Sequence, residues 1–126
     1  MMARVRVHAP ATLSNLGPGF DVLGLAVEQP GDYVEAEWSD TPGVEIVEVR
    51  GDSGRLTTDP TRNVVGIAAT AALLAFDARK TDRRPPGVRL WLDKRMPLAS
   101  GLGSSAASSV GGALAVSELL GGVFDR

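Results

Sequence analysis

The chain has 126 residues, with 13 Lys plus Arg against 15 Asp plus Glu and 44% apolar residues. That apolar share excludes a highly charged disordered polymer, and the faint acidity with only 5% aromatics gives generic nucleic-acid binding no support. The absence of Cys and the single His exclude a disulfide framework, a thiolate nucleophile and a Cys- or His-built metal centre.

The opening MMARVRVHAP has no apolar core and no small-residue cleavage site, so a mature, non-secreted chain is expected. The longest apolar run, Ile67 to Phe76, is too short to span a bilayer, and a cytoplasmic location follows as an expectation. From Arg4 to Ala9 the pattern has a period of two, which predicts a strand with Val5 and Val7 inward. A turn-rich loop follows through Asn15, Gly17, Pro18 and Gly19. Val22–Val27 is expected as a second strand, Gln29–Asp32 as a turn and Tyr33–Trp38 as a third strand with Val34, Ala36 and Trp38 on one face. In Val44–Arg50 the apolar parity slips after Ile46, which calls for a bulge or for burial of both faces.

Asp59-Pro60 predicts a helix opening, with a body from about Thr61 to Ala78. Its apolar residues run around most of the circumference, so it is expected deep in the core. Gly87–Asp93 alternates with Val88, Leu90 and Leu92 inward. A small-residue helix then runs to about Leu120 and stops at Gly121-Gly122. Strands followed by helices, in the order ββββ-α-β-loop-α, predict an α+β fold. Charge is segregated along the chain. Ten acids face two bases from Asp21 to Asp59, and seven bases face two acids from Arg79 to Arg95. Two solvated faces of opposite sign would account for this, and so would a basic stretch feeding an anion site.

The segment Pro97-Leu98-Ala99-Ser100-Gly101-Leu102-Gly103-Ser104-Ser105-Ala106-Ala107 lies between a strand and a helix. The first turn of a helix has N–H groups without partners and a partial positive charge. Glycines let the backbone approach a phosphate, and Ser104 and Ser105 add hydroxyl groups, one of them a candidate Mg²⁺ ligand. A flexible loop with a serine cap is the plainer reading of Gly-Leu-Gly alone; the longer string favours an anion cradle. The Walker pattern is absent, since no Lys follows the glycines. The dinucleotide pattern matches as Gly101-x-Gly103-x-x-Ala106, but its usual setting directly after an early strand does not. In the first loop Asn15 and Asp21 offer an amide and a carboxylate, suited to an ammonium or hydroxyl ligand or equally to capping a local turn.

PATLSNLGPGFDVLGLAV near the start and PLASGLGSSAAS later in the chain resemble the GHMP small-molecule kinases (galactokinase, homoserine kinase, mevalonate kinase and phosphomevalonate kinase). Asn-Leu-Gly-Pro-Gly-Phe-Asp is most similar to the homoserine kinase branch. The resemblance implies a truncated GHMP N-terminal domain of ribosomal protein S5 domain 2-like fold, a mixed sheet with helices on one face. Residues 1–126 would be part of the ATP-binding domain, with the C-terminal domain absent. It implies ATP and Mg²⁺ as cofactors, L-homoserine as substrate and O-phospho-L-homoserine, on the route to threonine, as product. Pro97–Ala107 would wrap the ATP phosphates, Ser105 would sit by the metal, and Asn15 and Asp21 would hold homoserine. Asn63 and Val64 fall where the adenine pocket begins; as plain structure Asn63 is a polar helix-start residue and Val64 and Val65 are core. Lys94 and Arg95 would line the nucleotide entrance or form a solvated strand end. No general base is indicated. Members of the family are considerably longer, usually homodimeric, and carry the acidic metal ligand and the arginines for the substrate carboxylate further on. The chain alone is therefore expected to be poorly soluble or oligomeric and to turn over little. Alternatives are a mevalonate-type or sugar kinase and a nucleotide-binding module without catalysis.

Overall fold

The computed structural model describes residues 4–14, 24–79, 83–96, 103–122 and 124. In chain order the elements are β1 (Val5–Ser14), β2 (Gly24–Ser39), β3 (Gly43–Arg50), α1 (Val64–Asp77), β4 (Gly87–Asp93) and α2 (Ser104–Leu119). The four strands form one sheet in the order β1-β2-β4-β3. β1 and β4 both pair with β2 antiparallel, and β3 pairs with β4 in parallel. The parallel pair requires a crossover, and α1 supplies it.

Alternation decides what faces the helices. Val7, Val34 and Leu92 stand in register across β1, β2 and β4, and Ala36 and Leu90 form the next row. Val34, Ala36, Val88, Leu90 and Leu92 are fully buried. They form one core with Val65, Ala69 and Leu73 of α1 and Ala115 and Val116 of α2. The expected inward faces of β1, of Tyr33–Trp38 and of β4 are therefore those observed. So is the fold class, a mixed α+β sheet with both helices on one face. The parity slip in β3 is a bulge: the register shifts between Ile46 and Glu48, and Val47 is exposed.

Three expectations are corrected. The turn at Gln29–Asp32 is not a reversal, and the second and third strands are a single β2. Pro10 pairs with Gly31 while Thr12 pairs with Ala26, so residues 27–30 form an irregular stretch inside a continuous strand. The turn-forming residues make a bulge because Asp32 beyond them is fully buried and bonded to Arg95 N and Met96 N, just past the end of β4. The first helix begins at Val64, later than expected. Asp59 closes a separate turn, its carbonyl accepting from Arg62 N (3.0 Å) and Asn63 N (2.9 Å) and its carboxylate from Thr61 N (2.9 Å). Asn63 is extended (φ −92°, ψ 129°), which resets the chain before α1. Finally, α1 is not buried all round: Val65, Ala69, Leu73 and Phe76 are buried, but Ile67 and Leu74 are 48% and 63% exposed.

The charge-segregated stretches are neighbours in space. Glu37 lies opposite Arg89 in the β2–β4 register, with their side chains 3.6 Å apart. Arg4 reaches Glu35 (3.6 Å) and Glu37 (3.5 Å) and stacks on Trp91. The outer face of the sheet thus interleaves both signs. α2 ends as predicted, with Gly122 N donating to Ser117 O (2.7 Å) and Gly121 N to Glu118 O (3.1 Å).

Candidate functional site

Asn63 is built by two bonds. Its Oδ1 accepts from Val65 N (3.1 Å), capping α1, and its Nδ2 donates to Thr57 O (2.9 Å), fastening the preceding loop. That loop is shaped by carboxylates. Asp52 accepts from Leu56 N (2.8 Å) and Gly54 N (3.2 Å). The Leu56 N–H, and then that of Gly54, hold the Asp52 carboxyl below its ordinary pKa against the opposing effect of burial. The Thr61 hydroxyl, followed by the Thr61 N–H, does the same for Asp59. The loop therefore presents Arg55, Leu56 and Thr57 in a fixed arrangement beside Asn63 and Val64.

α2 begins opposite. Gly103 is its N-cap, in the left-handed region (φ 72°, ψ 34°), with no side-chain cap. Helix geometry leaves the N–H groups of Ser104, Ser105 and Ala106 without intrahelical partners. Between this helix mouth and the Arg55–Val64 wall lies a cleft of about 530 Å³, a volume suited to a small-molecule ligand. Ser104, Ser105 and Ser108 line it from α2, and Arg62 and Lys94 complete its lining.

The structure thus brings Asn63, Val64, Ser104 and Ser105 to one cleft. Val65 belongs to the core, fully buried, whereas Val64 is half-buried and faces the cleft. The predicted segment divides beyond Ser105. Ala107 packs with Ala9, Ala11 and Met96, and Ala106 is exposed beside Thr12 on another side of the helix. Asn15 and Asp21, and Pro97, Leu98, Ala99, Ser100, Gly101 and Leu102, lie outside the described residues. Among the described residues no group of three or more His, Asp or Glu could hold a metal ion.

Lys94 is not a solvated strand end. Its side chain is 1% exposed and its ammonium pairs with Asp32, which is fully buried. It also donates to Ser104 O (3.1 Å) and Ser108 Oγ (3.1 Å). Asp32 in turn accepts from Arg95 N (2.7 Å) and Met96 N (3.2 Å). Sequence reasoning missed this pair, as it missed Arg55, Thr57, Arg62 and Ser108. Alternation offered one signal: Asp32 has the parity of Val34 and Ala36, the buried face.

Gly103 and Ser104 at the mouth of one helix face the start of a second, on a mixed α+β sheet and not a doubly wound parallel one. Residues 64–126 match the family described as "GHMP kinases N terminal domain", and the chain belongs to that family of ATP-using kinases. Within it, the chain is 37% identical over 124 residues to a homoserine kinase of Chloroherpeton thalassium, covering 95% of this chain and 39% of the relative. It is 46% identical over 110 residues to one of Methanopyrus kandleri, covering 87% and 32% respectively. The crystal structure of homoserine kinase from Cytophaga hutchinsonii superimposes with a TM-score of 0.88 at 44% identity, over 97% of this chain and 37% of that one. A mevalonate kinase structure with a TM-score of 0.69 at 16% identity shares the fold. The chain spans less than two-fifths of the length of these homoserine kinases.

Proposed function

We propose that the chain is the nucleotide-binding part of a homoserine kinase, which transfers the γ-phosphoryl group of ATP to the side-chain hydroxyl of L-homoserine and yields O-phospho-L-homoserine and ADP. The observation that carries this reading is the shared cleft: the Ser104–Ser105 helix mouth and the Asn63–Val64 helix start form its two walls. The homoserine kinases among the relatives support that acceptor.

When bound, ATP supplies the phosphoryl group, and the residues of this chain bind and orient it. The partnerless N–H groups at the start of α2 and the charges of Arg55 and Arg62 suit the triphosphate, and Val64 and Leu56 give the cleft its apolar patch for a base. Ser105 would offer its hydroxyl to Mg²⁺. Asn15 and Asp21 would hold the amino acid and aim its hydroxyl, which is catalysis by proximity. The bond formed joins that oxygen to phosphorus, the bond broken releases ADP, and the hydroxyl proton leaves to solvent. Electrostatic neutralisation and alignment account for such a step without a protein base. A cytoplasmic location and a homodimer in the longer protein belong to the same reading.

A coupled ADP-release assay on the gene product, with and without L-homoserine, tests it. Homoserine-dependent release is expected, and release indifferent to homoserine overturns the assignment. Release that responds to mevalonate or a sugar would transfer the reading to another branch of the family. Nucleotide binding with no transfer to any acceptor would leave a binding module.

A further inference from the structure

Lys94 and Asp32 form the only ion pair among the described residues with both side chains buried, at 1% and 0% exposure. A buried ion pair is a costly way to add stability, because desolvation offsets much of the attraction. Its placement shows what it does for the chain. Asp32 accepts from the backbone N–H groups of Arg95 and Met96, the last described residues before the glycine–serine segment. Lys94 donates to the backbone carbonyl of Ser104, the first residue of α2, and to the Ser108 hydroxyl one turn further on. One pair therefore grips both ends of the segment between Met96 and Ser104. The three acceptors also use all three donors of the Lys94 ammonium. It cannot reach a ligand in the cleft without releasing one of them.

We propose that Asp32 and Lys94 are positioning residues: together they fix the entry and exit of the glycine–serine segment and so set the direction of the α2 N–H groups into the cleft. The effect on ligands rests on the nucleotide reading above, whereas the clamp itself does not. Two measurements on the 126-residue chain separate the two. The first is amide hydrogen exchange at Ala107, whose N–H donates to Gly103 O (2.8 Å), and at the hydrogen-bonded amides of the next turn of α2, in Lys94→Met, Asp32→Asn and the milder Ser108→Ala, each under conditions where the variant remains folded. Exchange at these amides is expected to rise about tenfold or more in the first two variants and less in the third, while amides of the sheet core stay protected. Unchanged exchange at the helix start overturns the clamp.

The second is calorimetric titration with ATP and, separately, adenosine. Lys94→Met and Asp32→Asn are each expected to weaken ATP by about tenfold or more relative to adenosine. The double variant should be no worse than either single one, since the two residues act as a unit. A merely structural pair would weaken both ligands alike, which overturns the proposal. Lys94→Met weakening ATP while Asp32→Asn leaves it unchanged or tighter would also overturn it, because that pattern belongs to a lysine touching phosphate directly. If the unaltered chain binds neither ligand, the cleft by itself is no nucleotide site, the ADP-release assay still decides the kinase reading, and the exchange measurement alone decides the clamp.

Discussion

Gly103 holds φ 72° at the mouth of α2, and a Cβ there would run into the Thr12 hydroxyl. Left-handed backbone and steric contact act together, so Gly103→Ala should destabilise the chain by about 1–3 kcal/mol. Urea unfolding measures this. Adding Thr12→Ala should recover only the contact portion, because the backbone cost remains; full recovery would show that φ contributes nothing. Acid sensitivity is also decided residue by residue. Asp52, Asp59 and Asp77 all have carboxyls held below their ordinary pKa, by the Leu56 N–H, the Thr61 hydroxyl and Arg84 respectively. A carboxyl with a lower pKa folded than unfolded binds fewer protons in the folded state, so its contribution is complete above the unfolded value. It is lost as pH falls through the folded one. Stability should therefore hold from neutral pH down to about 5 and decline below about 4. Asp52→Asn should flatten that decline when the denaturation midpoint is followed against pH.

α2 lies very close to its neighbours. A Cβ on Gly112 would stand 2.5 Å from the backbone carbonyl of Val65, and one on Gly111 would stand 2.7 Å from the terminal methyl of Val34. A side-chain methyl can rotate away and a helical carbonyl cannot. Gly112→Ala should therefore cost more than Gly111→Ala, with overpacking of this kind reaching about 1–3 kcal/mol. Paired thermal melts check the order, and equal losses would mean that α1 gives way. At this scale the sequence was legible where local periodicity decided the outcome. β4 reads directly from Val88, Leu90 and Leu92, and the β3 slip announces its bulge. It was not legible where a distant partner decided. Pro30 and Gly31 carry every local sign of a reversal, and β2 runs through them because Asp32 is tied to residues 62 to 64 positions further along the chain. Likewise no motif marks Arg55, Thr57 or Arg62, which reach the cleft only because Asp52 and Asn63 fold their loop back on itself.

For the whole molecule, three of the five exposed large apolar residues among those described lie on the helix layer. Ile67 and Leu74 of α1 and Val110 of α2 are 48%, 63% and 59% exposed. An apolar groove of about 540 Å³ between Ala68, Ala71 and Ala75 on one helix and Ala113 and Leu114 on the other adjoins them. Contiguous apolar surface of this kind promotes association. The chain by itself should self-associate with rising concentration in analytical ultracentrifugation, and Leu74→Glu combined with Val110→Lys should shift it toward monomer. A monomer at every concentration would contradict this.

The two walls of the cleft have different origins. One follows the third strand and leads into the crossover; the other opens only after the fourth strand has been laid beside the third. Each half of the chain supplies only one wall of the cavity. A molecule lodged there would recognise the completed topology alone and, by mass action, pull partly assembled chains toward it, gaining about 2.7 kcal/mol at a hundredfold excess over its dissociation constant. Supplying nucleotide during refolding should then raise the yield of correctly threaded protein, which makes the future ligand a participant in the assembly of its own binding site.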